Sequence, residues 1–497
     1  MTDGEYDMIR SIMLQGTMSN VGKTLLAAGL CRIFRQDGYK TVPFKAQNMS
    51  LNSCITADGK EMSRAQVMQA EAAGIAPSAD MNPLLLKPTG HTGSQIIFRG
   101  NVLENMTAAE FYRRKKEFVP GILEAYRCIT EDAEIAVIEG AGSPVELNLR
   151  KDDLVNMGFA ELVDAPVLLI GDIDPGGIFA QLLGTLRLLS EEERSRVRGL
   201  IVNKFRGDPE LFRDGIRILE ESSGLPVLGV VPFTGHSLSD EDSMSDRLKN
   251  SGAAGKEKVI YDIAVVRYPH ISNFTDFDVF DQWTDMRIRY VTDPAETGRP
   301  DMLILPGSKN TIEDMRWLRE KGFEPVIKSY SSYGVVFGIC GGYQMLGRNI
   351  EDPGHTEAGG SIEGLGLLSD RTIIAGKKQQ RRTEGAAGQL KGALKELAGC
   401  TFSGYEIHMG NTFTDTAEEG LIREEGNIYG TYLHGFFDAP EIIPALRRSL
   451  AGLRGLSCDD GEKPDYKEFK EREYDRLAEV LRNSLDINGI YRIMGLR

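Results

Sequence analysis

Cysteine is scarce in this chain of 497 residues, and basic side chains are fewer than acidic ones. Its 6 cysteines are scattered without the paired spacing of a zinc site, so we expect reduced thiols. The 58 Lys and Arg residues are outnumbered by 73 Asp and Glu residues, which gives a formal net charge of −15. Because that charge repels phosphate backbones and anionic lipids, the composition predicts neither a nucleic-acid nor a membrane partner.

Long apolar runs are missing as well. No stretch approaches the roughly 20 consecutive apolar residues that a membrane-spanning helix requires. The start of the chain, Met1–Glu5, is acidic and polar and lacks the basic and apolar regions of a signal peptide. The sequence therefore predicts a cytoplasmic protein, and its length suggests about two to four domains.

The most specific motif lies near the start of the chain. An apolar strand pattern ending at Gln15 is followed by a glycine-rich loop, Gly16–Thr24, and then by an apolar helical run. In a phosphate-binding loop (P-loop), glycines let backbone N–H groups close around phosphates, a lysine reaches the terminal phosphates and a hydroxyl binds magnesium. We therefore predict that ATP and Mg²⁺ are bound by Gly16, Thr17, Asn20, Gly22, Lys23 and Thr24.

Carboxylates follow predicted strands in the same region. Glu139 ends the buried run Ile135–Ile138, at the strand end where ligands of open α/β sheets gather. Because oxygen ligands suit magnesium, Glu139 is predicted to bind that ion together with Thr24. Weaker candidates for the same surroundings are Asp58, Glu61, Asp172 and Asp174. Of these, Glu61 is retained as a metal ligand, whereas Asp172 and Asp174 could equally cap the next helix.

A second chemical signature lies in the other half of the chain. Cys340 stands in the segment Gly338–Gly342, between a predicted strand and a predicted helix. A cysteine on such a turn is exposed, and a helix N-terminus favours the nucleophilic thiolate form. His434 follows another predicted strand and could act as the base, with His408 as the competitor. Candidates for oxyanion-hole donors are the backbone N–H groups of Gly307 and Gly341.

Short β-branched runs alternate with helical segments in both halves of the chain, which predicts two α/β units with largely parallel sheets. In the first half, strands are expected at Ile135–Ile138, Val167–Ile170, Leu200–Val202 and Val227–Val231. In the second half, they are expected at Ile263–Val266, Met302–Leu305, Val335–Ile339 and Ile428–Leu433. Residues 375–389, rich in Lys, Arg, Gln and Gly, are predicted to be a flexible, solvated excursion without chemistry.

Segments spread over almost the whole chain resemble one family. They are Pro43–Ser50, Arg64–Gln66, Met81–Pro88, Glu139–Leu149, Ile201–Asp208, Ser272–Asp276, Gly404–Gly410 and Gly430–Gly435. In these segments and their order, the chain resembles the cobyric acid synthases, the glutamine-hydrolysing amidotransferases of corrinoid biosynthesis. By this resemblance, the first domain is similar to dethiobiotin synthetase, with a doubly wound parallel sheet. The second is similar to a class I glutamine amidotransferase.

The resemblance, taken with the composition of the segments between and after the two domains, predicts four parts of the chain. They are an ATP-dependent amidoligase domain at 1–234, a linker at 235–257, a glutaminase domain at 258–448 and a C-terminal helical extension at 449–497. The linker is rich in Ser, Asp and Gly and has no apolar period. In the extension, apolar residues at near-helical spacing within Tyr466–Leu485 predict an amphipathic helix docked on the surface.

The family's activity is the ATP- and glutamine-dependent amidation of the b, d, e and g carboxylates of adenosylcobyrinic acid a,c-diamide, which gives adenosylcobyric acid. By resemblance, Cys340 attacks glutamine and His434 is its partner. Phe436 replaces the glutamate that follows this histidine in triad amidotransferases, so a Cys–His dyad is implied. Pro175 and His270 stand where relatives typically carry Arg. Candidates for holding corrinoid carboxylates or nucleotide are Lys45, Gln47, Asn48 and Lys87.

Three alternatives remain open at this point. One is a degenerate binding protein with a dead glutaminase, which a test of glutamine hydrolysis would discriminate. Cobyrinic acid a,c-diamide synthases share both domain types, but the segments Phe44–Ser50 and Met81–Pro88 favour the cobyric acid synthases. A partitioning or regulatory ATPase would also use a P-loop. Those ATPases carry a signature Lys after the first loop glycine, where this chain has Thr17.

Overall fold

The structure is a computed structural model that describes residues 9–89, 93–233, 238, 259–374, 376, 378–414, 421–458 and 464–496. The predicted linker at 235–257 lies outside the described residues, apart from Leu238. Two six-stranded sheets organise the described chain, one in each half. We call the residues around them the first and the second domain. The predicted α/β fold class is confirmed.

The first sheet is parallel throughout, and the strand that leads into the P-loop lies inside it rather than at an edge. Alternate residues of this strand face opposite sides: Ile12 and Leu14 join one apolar cluster, and Met13 joins the other. Because both faces are covered, the sheet presents only its strand ends for chemistry. In spatial order the strands are Val227–Pro232, Val197–Phe205, Val167–Asp172, Arg10–Gly16, Ile135–Glu139 and Thr41–Phe44.

Helices cover this sheet and smaller strands extend the domain. The helices are Lys23–Gln36, Arg64–Ala73, Ala108–Arg114, Val119–Thr130, Met157–Leu162, Ile178–Leu188, Glu191–Arg196 and Arg213–Ser223. A four-stranded sheet is formed by Gln47–Met49, Leu84–Pro88, Gly93–Phe98 and Asn101–Thr107. The strands Ser53–Ile55 and Glu61–Ser63 form an antiparallel hairpin.

The second six-stranded sheet is parallel except for one antiparallel edge strand, Arg423–Glu425. The strand before Cys340 lies inside it, between neighbours on both sides. In spatial order the strands are Met286–Val291, Tyr261–Val266, Met302–Leu305, Val335–Ile339, Ile428–Thr431 and Arg423–Glu425. The α-helices of this half are Thr311–Lys321, Phe323–Ser331, Gly341–Leu346 and Ile442–Leu453.

Smaller elements complete the second domain. Its small sheets contain Ile271–Ser272 with Gly307–Ser308, and Gly360–Glu363 with Asn349–Asp352, Arg371–Ile373 and Asn411–Phe413. Along the whole chain, 3-10 turns lie at Ala79–Met81, Lys115–Phe118, Pro209–Phe212, Phe274–Gln282, Pro294–Glu296, Lys395–Leu397 and Phe436–Asp438.

The prediction of a flexible excursion at 375–389 is wrong. Within it, Gln379–Ala386 forms a strand that pairs antiparallel with Thr401–His408, which in turn pairs with Leu433–His434. The charges are not simply solvated either, because Lys378 is buried against Glu61 of the first domain, 2.7 Å from its carboxylate. This strand therefore belongs to the contact between the domains.

The C-terminal segment returns to the first domain. The predicted amphipathic helix is present as Tyr466–Ser484 and is followed by the helix Ile487–Ile493. It packs along Lys23–Gln36, the helix that follows the P-loop. Leu481 lies so close to that helix that a Cβ at Gly29 would overlap it. Arg32 adds hydrogen bonds to Glu471 and Asp475 at 2.8 and 2.7 Å. Among the described helices, none has the length and apolar character needed to cross a membrane.

Candidate active sites and the cavity between the domains

Cys340 occupies a sharp turn between the strand Val335–Ile339 and the helix Gly341–Leu346. Its φ of 51° lies in the left-handed region that non-glycine residues rarely adopt, and such strain often marks functional sites. A Cβ at Gly342 would overlap the carbonyl oxygen of Leu305, so only glycine lets the helix approach the neighbouring strand this closely. The strand, turn and helix predicted from the sequence are therefore all present.

His434 is held by a carboxylate that the sequence did not single out. Its Nδ1 atom lies 2.7 Å from Oδ2 of Asp276, and the other oxygen, Oδ1, accepts the N–H of Gly435 at 3.0 Å. Both side chains are buried, at 1% exposure for His434 and 5% for Asp276. The other ring nitrogen, Nε2, forms no hydrogen bond with another described residue. The geometry thus leaves this nitrogen available while Asp276 fixes the ring.

The surroundings of His434 favour its protonated form. Burial lowers the pKa of the imidazole, but the Asp276 carboxylate and the Cys340 thiol outweigh burial and raise it to about 10. A histidine with this pKa is protonated at neutral pH. Cys340, His434 and Asp276 therefore supply a nucleophile, a proton donor and an orienting carboxylate at one site.

The two glycines predicted as oxyanion-hole donors both lie beside this trio. A Cβ at Gly307 would lie 3.2 Å from Cε1 of His434, and one at Gly341 would lie 2.8 Å from the backbone nitrogen of Ser308. Gly307 and Ser308 pair with Ser272 and Ile271, at the start of the segment that carries Asp276. Both glycines thus bring backbone close to the reacting side chains, where a donor to an oxyanion must stand.

The P-loop follows the strand Arg10–Gly16, and its helix begins at Lys23. Asn20 and Gly22 both have positive φ values, of 61° and 93°, which fold the loop over the helix N-terminus. The Lys23 ammonium donates to the carbonyl oxygens of Met18 and Gly142 at 3.2 and 3.3 Å, so it lies across the mouth of the loop. Thr17 Oγ1 lies 3.1 Å from Gln181 Oε1, on the far side of the loop.

Glu139 accepts hydrogen bonds from Thr24 of the P-loop and from three other polar side chains. Its Oε1 atom accepts the Thr24 hydroxyl at 2.9 Å and the Lys45 ammonium at 2.8 Å. Its Oε2 atom accepts the amides of Gln69 at 2.6 Å and Gln66 at 3.3 Å. The carboxylate is only 1% exposed. The structure therefore brings together Thr24, Glu139 and Lys45 at the carboxyl end of the first sheet.

The Thr24 hydroxyl oxygen and the Glu139 carboxylate fit a magnesium ion that is shared with a nucleotide. Magnesium usually takes one or two protein oxygens and completes its shell with phosphate and water. Among the described residues, no group of three or more His, Cys, Asp and Glu side chains could hold a metal ion alone. A cation at Thr24 and Glu139 would therefore depend on bound nucleotide.

Glu61 lies elsewhere and has other partners. Its carboxylate accepts Lys87 at 3.0 Å, Lys378 at 2.7 Å, Gln380 at 2.7 Å and the Ser53 hydroxyl at 2.9 Å. Burial raises its pKa, but the two ammonium groups outweigh burial and hold the pKa well below its usual range. Because two cations already neutralise this carboxylate, the arrangement does not favour the metal role predicted from the sequence. It ties the two domains together instead.

The remaining predicted residues differ in burial and in their hydrogen-bond or ion-pair partners. Asn48 is buried and donates to Ser63 at 2.7 Å, whereas Gln47 is half-buried in the strand Gln47–Met49. Asp172 pairs with Lys204 at 2.9 Å. The idea that Asp172 or Asp174 caps the next helix is wrong, because the residue at that position is Gly177.

The two residues that depart from the family pattern have different surroundings. His270 binds Asp314 at 2.8 Å, which raises the pKa of His270. Pro175 lies in an exposed turn.

Cys340 is buried, at 6% exposure, rather than exposed as the sequence predicts, because residues of both domains surround it. It lines a cavity between the domains. Its wall comes from both domains, with Lys87 from the first and the other lining residues from the second, and His408 among them. Direct hydrogen bonds close the contact nearby: the Ser53 N–H donates to Asn273 at 3.0 Å and the Tyr405 hydroxyl donates to the Ser53 carbonyl at 2.9 Å. The site of the thiol is therefore completed by the first domain.

Comparison with known proteins identifies the class. A model described as the CobQ/CobB/MinD/ParA nucleotide binding domain matches residues 12–244. A model described as the CobB/CobQ-like glutamine amidotransferase domain matches residues 262–442. The fold, the P-loop and the cysteine site thus define an ATP-using, glutamine-hydrolysing ligase.

Curated relatives narrow the class to one family. Cobyric acid synthases of Lachnoclostridium phytofermentans and Clostridium acetobutylicum are each 48% identical to this chain, over 98% of it and 99% of their own length. That of Ruminiclostridium cellulolyticum is 48% identical over 98% of this chain and 97% of its own. The chain belongs to the cobyric acid synthase family, as its sequence segments predict.

Proposed function

We propose that this enzyme amidates the b, d, e and g carboxylates of adenosylcobyrinic acid a,c-diamide, with ATP and glutamine, to give adenosylcobyric acid. The observation that carries the proposal is that Cys340, His434 and Asp276 form one site and Thr24 and Glu139 another, in two domains that share a cavity wall. An earlier-acting cobyrinic acid a,c-diamide synthase and a regulatory ATPase are the alternatives. Relatives that are named cobyric acid synthase and match nearly the whole chain support the proposed activity over both alternatives.

In the second domain, the Cys340 thiolate attacks the side-chain amide carbon of glutamine. The protonated His434 gives its Nε2 proton to the departing nitrogen, so ammonia leaves and a glutamyl thioester remains. Water then attacks the thioester with His434 as base, which releases glutamate and restores the thiolate. Asp276 holds the ring in the required orientation, and N–H groups at Gly307 and Gly341 would stabilise the oxyanion.

In the first domain, a corrinoid carboxylate attacks the terminal phosphate of ATP. Hydroxide is a poor leaving group, whereas phosphate leaves readily from the acyl phosphate that forms. Ammonia then attacks the acyl carbon, giving the amide, with ADP and phosphate as the other products. Lys23 and the loop N–H groups would bind the phosphates, and Mg²⁺, held by Thr24 and Glu139, would neutralise charge on them.

Other predicted assignments remain part of the proposal. Lys45, Gln47, Asn48 and Lys87 are proposed to hold corrinoid carboxylates or nucleotide, the buried Lys45, Asn48 and Lys87 by orienting neighbours. Two partners are proposed, glutamine and a corrinoid, with no role for nucleic acid or membrane, in the cytoplasm. The acidic net charge of −15 supports the proposal that nucleic acid and anionic membranes are not partners.

The proposal is tested by mass spectrometry of the corrinoid. Purified enzyme receives adenosylcobyrinic acid a,c-diamide, ATP, magnesium and either glutamine or ammonium chloride. We expect stepwise amidation with both nitrogen sources, and in Cys340→Ser only with ammonium. If glutamine is hydrolysed while the corrinoid stays unchanged, the acceptor assignment fails. If Cys340→Ser still uses glutamine, the assignment of the nucleophile fails.

A further inference from the structure

The Cys340 cavity contains two groups of opposite charge that are not paired with each other. Lys309 and Glu357 both line it, close to the thiol. No ion pair within 4.0 Å joins Lys309 to any carboxylate among the described residues, although each of the two groups shifts the pKa of the other. The two charges thus face one cavity at a distance from each other.

Lys309 is a buried ammonium with weak pairing. It is 7% exposed, and its Nζ atom donates to Gln95 Oε1 at 3.4 Å, a long contact with a neutral amide. Burial lowers its pKa. The other two lysines of the cavity differ from it, because Lys87 and Lys378 are both bound to Glu61 at 3.0 Å or less. Lys309 is therefore the cavity lysine that an incoming anion can neutralise without displacing a carboxylate.

Glu357 is the matching carboxylate. It is half-buried, and its Oε2 atom accepts the backbone N–H of Thr311 at 2.7 Å. Burial raises its pKa to about 7. Thr311 begins the helix that follows Lys309, so both charges are fixed to the same short segment. That segment also carries Gly307 and Ser308, which lie beside His434 and Gly341.

A free amino acid carries one carboxylate and one ammonium on the same carbon. We propose that Lys309 binds the α-carboxylate of glutamine and Glu357 binds its α-ammonium, so that the side-chain amide is presented to the Cys340 thiol. This inference rests on the proposed glutaminase function. Occupancy by the zwitterion neutralises two incompletely paired charges of the cavity, which a neutral amide does not do. The pair therefore selects free glutamine over amides that lack either group.

Two analogues separate the two contacts. Glutaramate lacks the α-ammonium, and 4-aminobutanamide lacks the α-carboxylate, but both keep the amide and the chain length. Each is tested as a substrate and as a competitive inhibitor of glutamine hydrolysis, so that slow turnover does not hide binding. We expect wild type to bind each analogue about 10- to 100-fold more weakly than glutamine, the range for one charge-assisted hydrogen bond.

The variants should then show a crossed pattern. Lys309→Met weakens glutamine and glutaramate by about 10- to 100-fold and leaves 4-aminobutanamide nearly unchanged. Glu357→Gln weakens glutamine and 4-aminobutanamide and leaves glutaramate nearly unchanged. Lys378→Met is the matched control: it removes a buried lysine of the same cavity that Glu61 already binds, and it should affect all three compounds in proportion.

The outcomes separate the two proposals. Ammonia-dependent amidation reports whether each variant is folded. If Lys309→Met and Glu357→Gln weaken the binding of all three compounds alike, the proposed roles of Lys309 and Glu357 are wrong, although the glutaminase function stands. If wild type hydrolyses no glutamine, the proposed function itself fails.

Discussion

The Nδ1 atom of His434 lies 2.7 Å from Oδ2 of Asp276, a carboxylate that precedes it by 158 residues. The same carboxylate accepts the N–H of Gly435, so it fixes both the imidazole and the backbone beside it. The family pattern implied a dyad, because Phe436 replaces the usual glutamate. The structure instead supplies an orienting carboxylate from the 3-10 turn Phe274–Gln282.

Replacing this carboxylate should impair glutamine hydrolysis and spare ammonia use. Asp276→Asn keeps the size of the side chain but removes the charge that orients His434 and favours its protonated form. We therefore expect kcat for glutamine hydrolysis to fall roughly 10³- to 10⁴-fold. Steady-state kinetics on glutamine and on ammonium chloride measure the two activities. Asp278→Asn, a buried aspartate of the same turn, is the matched control and should retain most of the glutaminase activity. Equal losses in both variants would contradict the role of Asp276.

The raised pKa of His434 gives stability a definite pH dependence. Its folded value of about 10 exceeds the ordinary 6.5, so the proton stabilises the native state. That stabilisation is fully present below about pH 6.5 and is lost as pH rises through about 10. We expect the free-energy difference of unfolding between wild type and His434→Gln to shrink over this range, as measured by urea denaturation. In Asp276→Asn the same difference should lose most of its slope, and a slope of opposite sign would refute the ion pair.

Glu139→Gln tests the site in the first domain. The change leaves the Lys45 ammonium, 4% exposed, without its carboxylate, and removes a proposed magnesium ligand. We expect ammonia-dependent amidation to fall at least about 100-fold and the free energy of unfolding to fall by about 3 kcal/mol. Glutaminase activity should persist. Glu134→Gln, an exposed residue just before the same strand, is the control, and a comparable loss there would argue against a specific role.

The contact between the domains depends on Glu61. In Glu61→Gln, Lys87 and Lys378 lose their shared carboxylate, and we expect a loss of about 3 to 5 kcal/mol in the free energy of unfolding. Because the cavity wall loosens, more glutamate should be released per amide formed. Asp58→Asn, an exposed position in the same hairpin turn, should change stability by no more than about 0.5 kcal/mol. A Glu61→Gln protein with unchanged stability would show that the cluster does not hold the domains.

Sequence reasoning found the parts of the sites that are local. The P-loop and the Cys340 turn are each a strand, a loop and a helix in direct succession, so their residue types and spacing carry the geometry. The sequence predicts that Thr24 and Glu139 lie together because ligands gather at the ends of parallel strands, and the structure puts the Thr24 hydroxyl 2.9 Å from Oε1 of Glu139.

The partners that were missed come from distant parts of the chain. Asp276 lies in a segment recognised only as a family match, and nothing near it pointed to His434. Lys378 sits in a charged, glycine-containing stretch whose composition resembles solvated loops. Its partner Glu61 is 317 residues away, and only the packing of the two domains buries the pair.

The most direct test of the account is to follow the nitrogen atom. The enzyme turns over adenosylcobyrinic acid a,c-diamide with ATP, magnesium and glutamine labelled with ¹⁵N in its side-chain amide, in a buffer that contains unlabelled ammonium. If ammonia from Cys340 reaches the acyl phosphate through the joined domains, the new amides carry ¹⁵N in excess over the mixed ammonia pool. Amides whose ¹⁵N content matches that of the mixed ammonia pool, or no amidation at all, would contradict transfer of ammonia between the two sites.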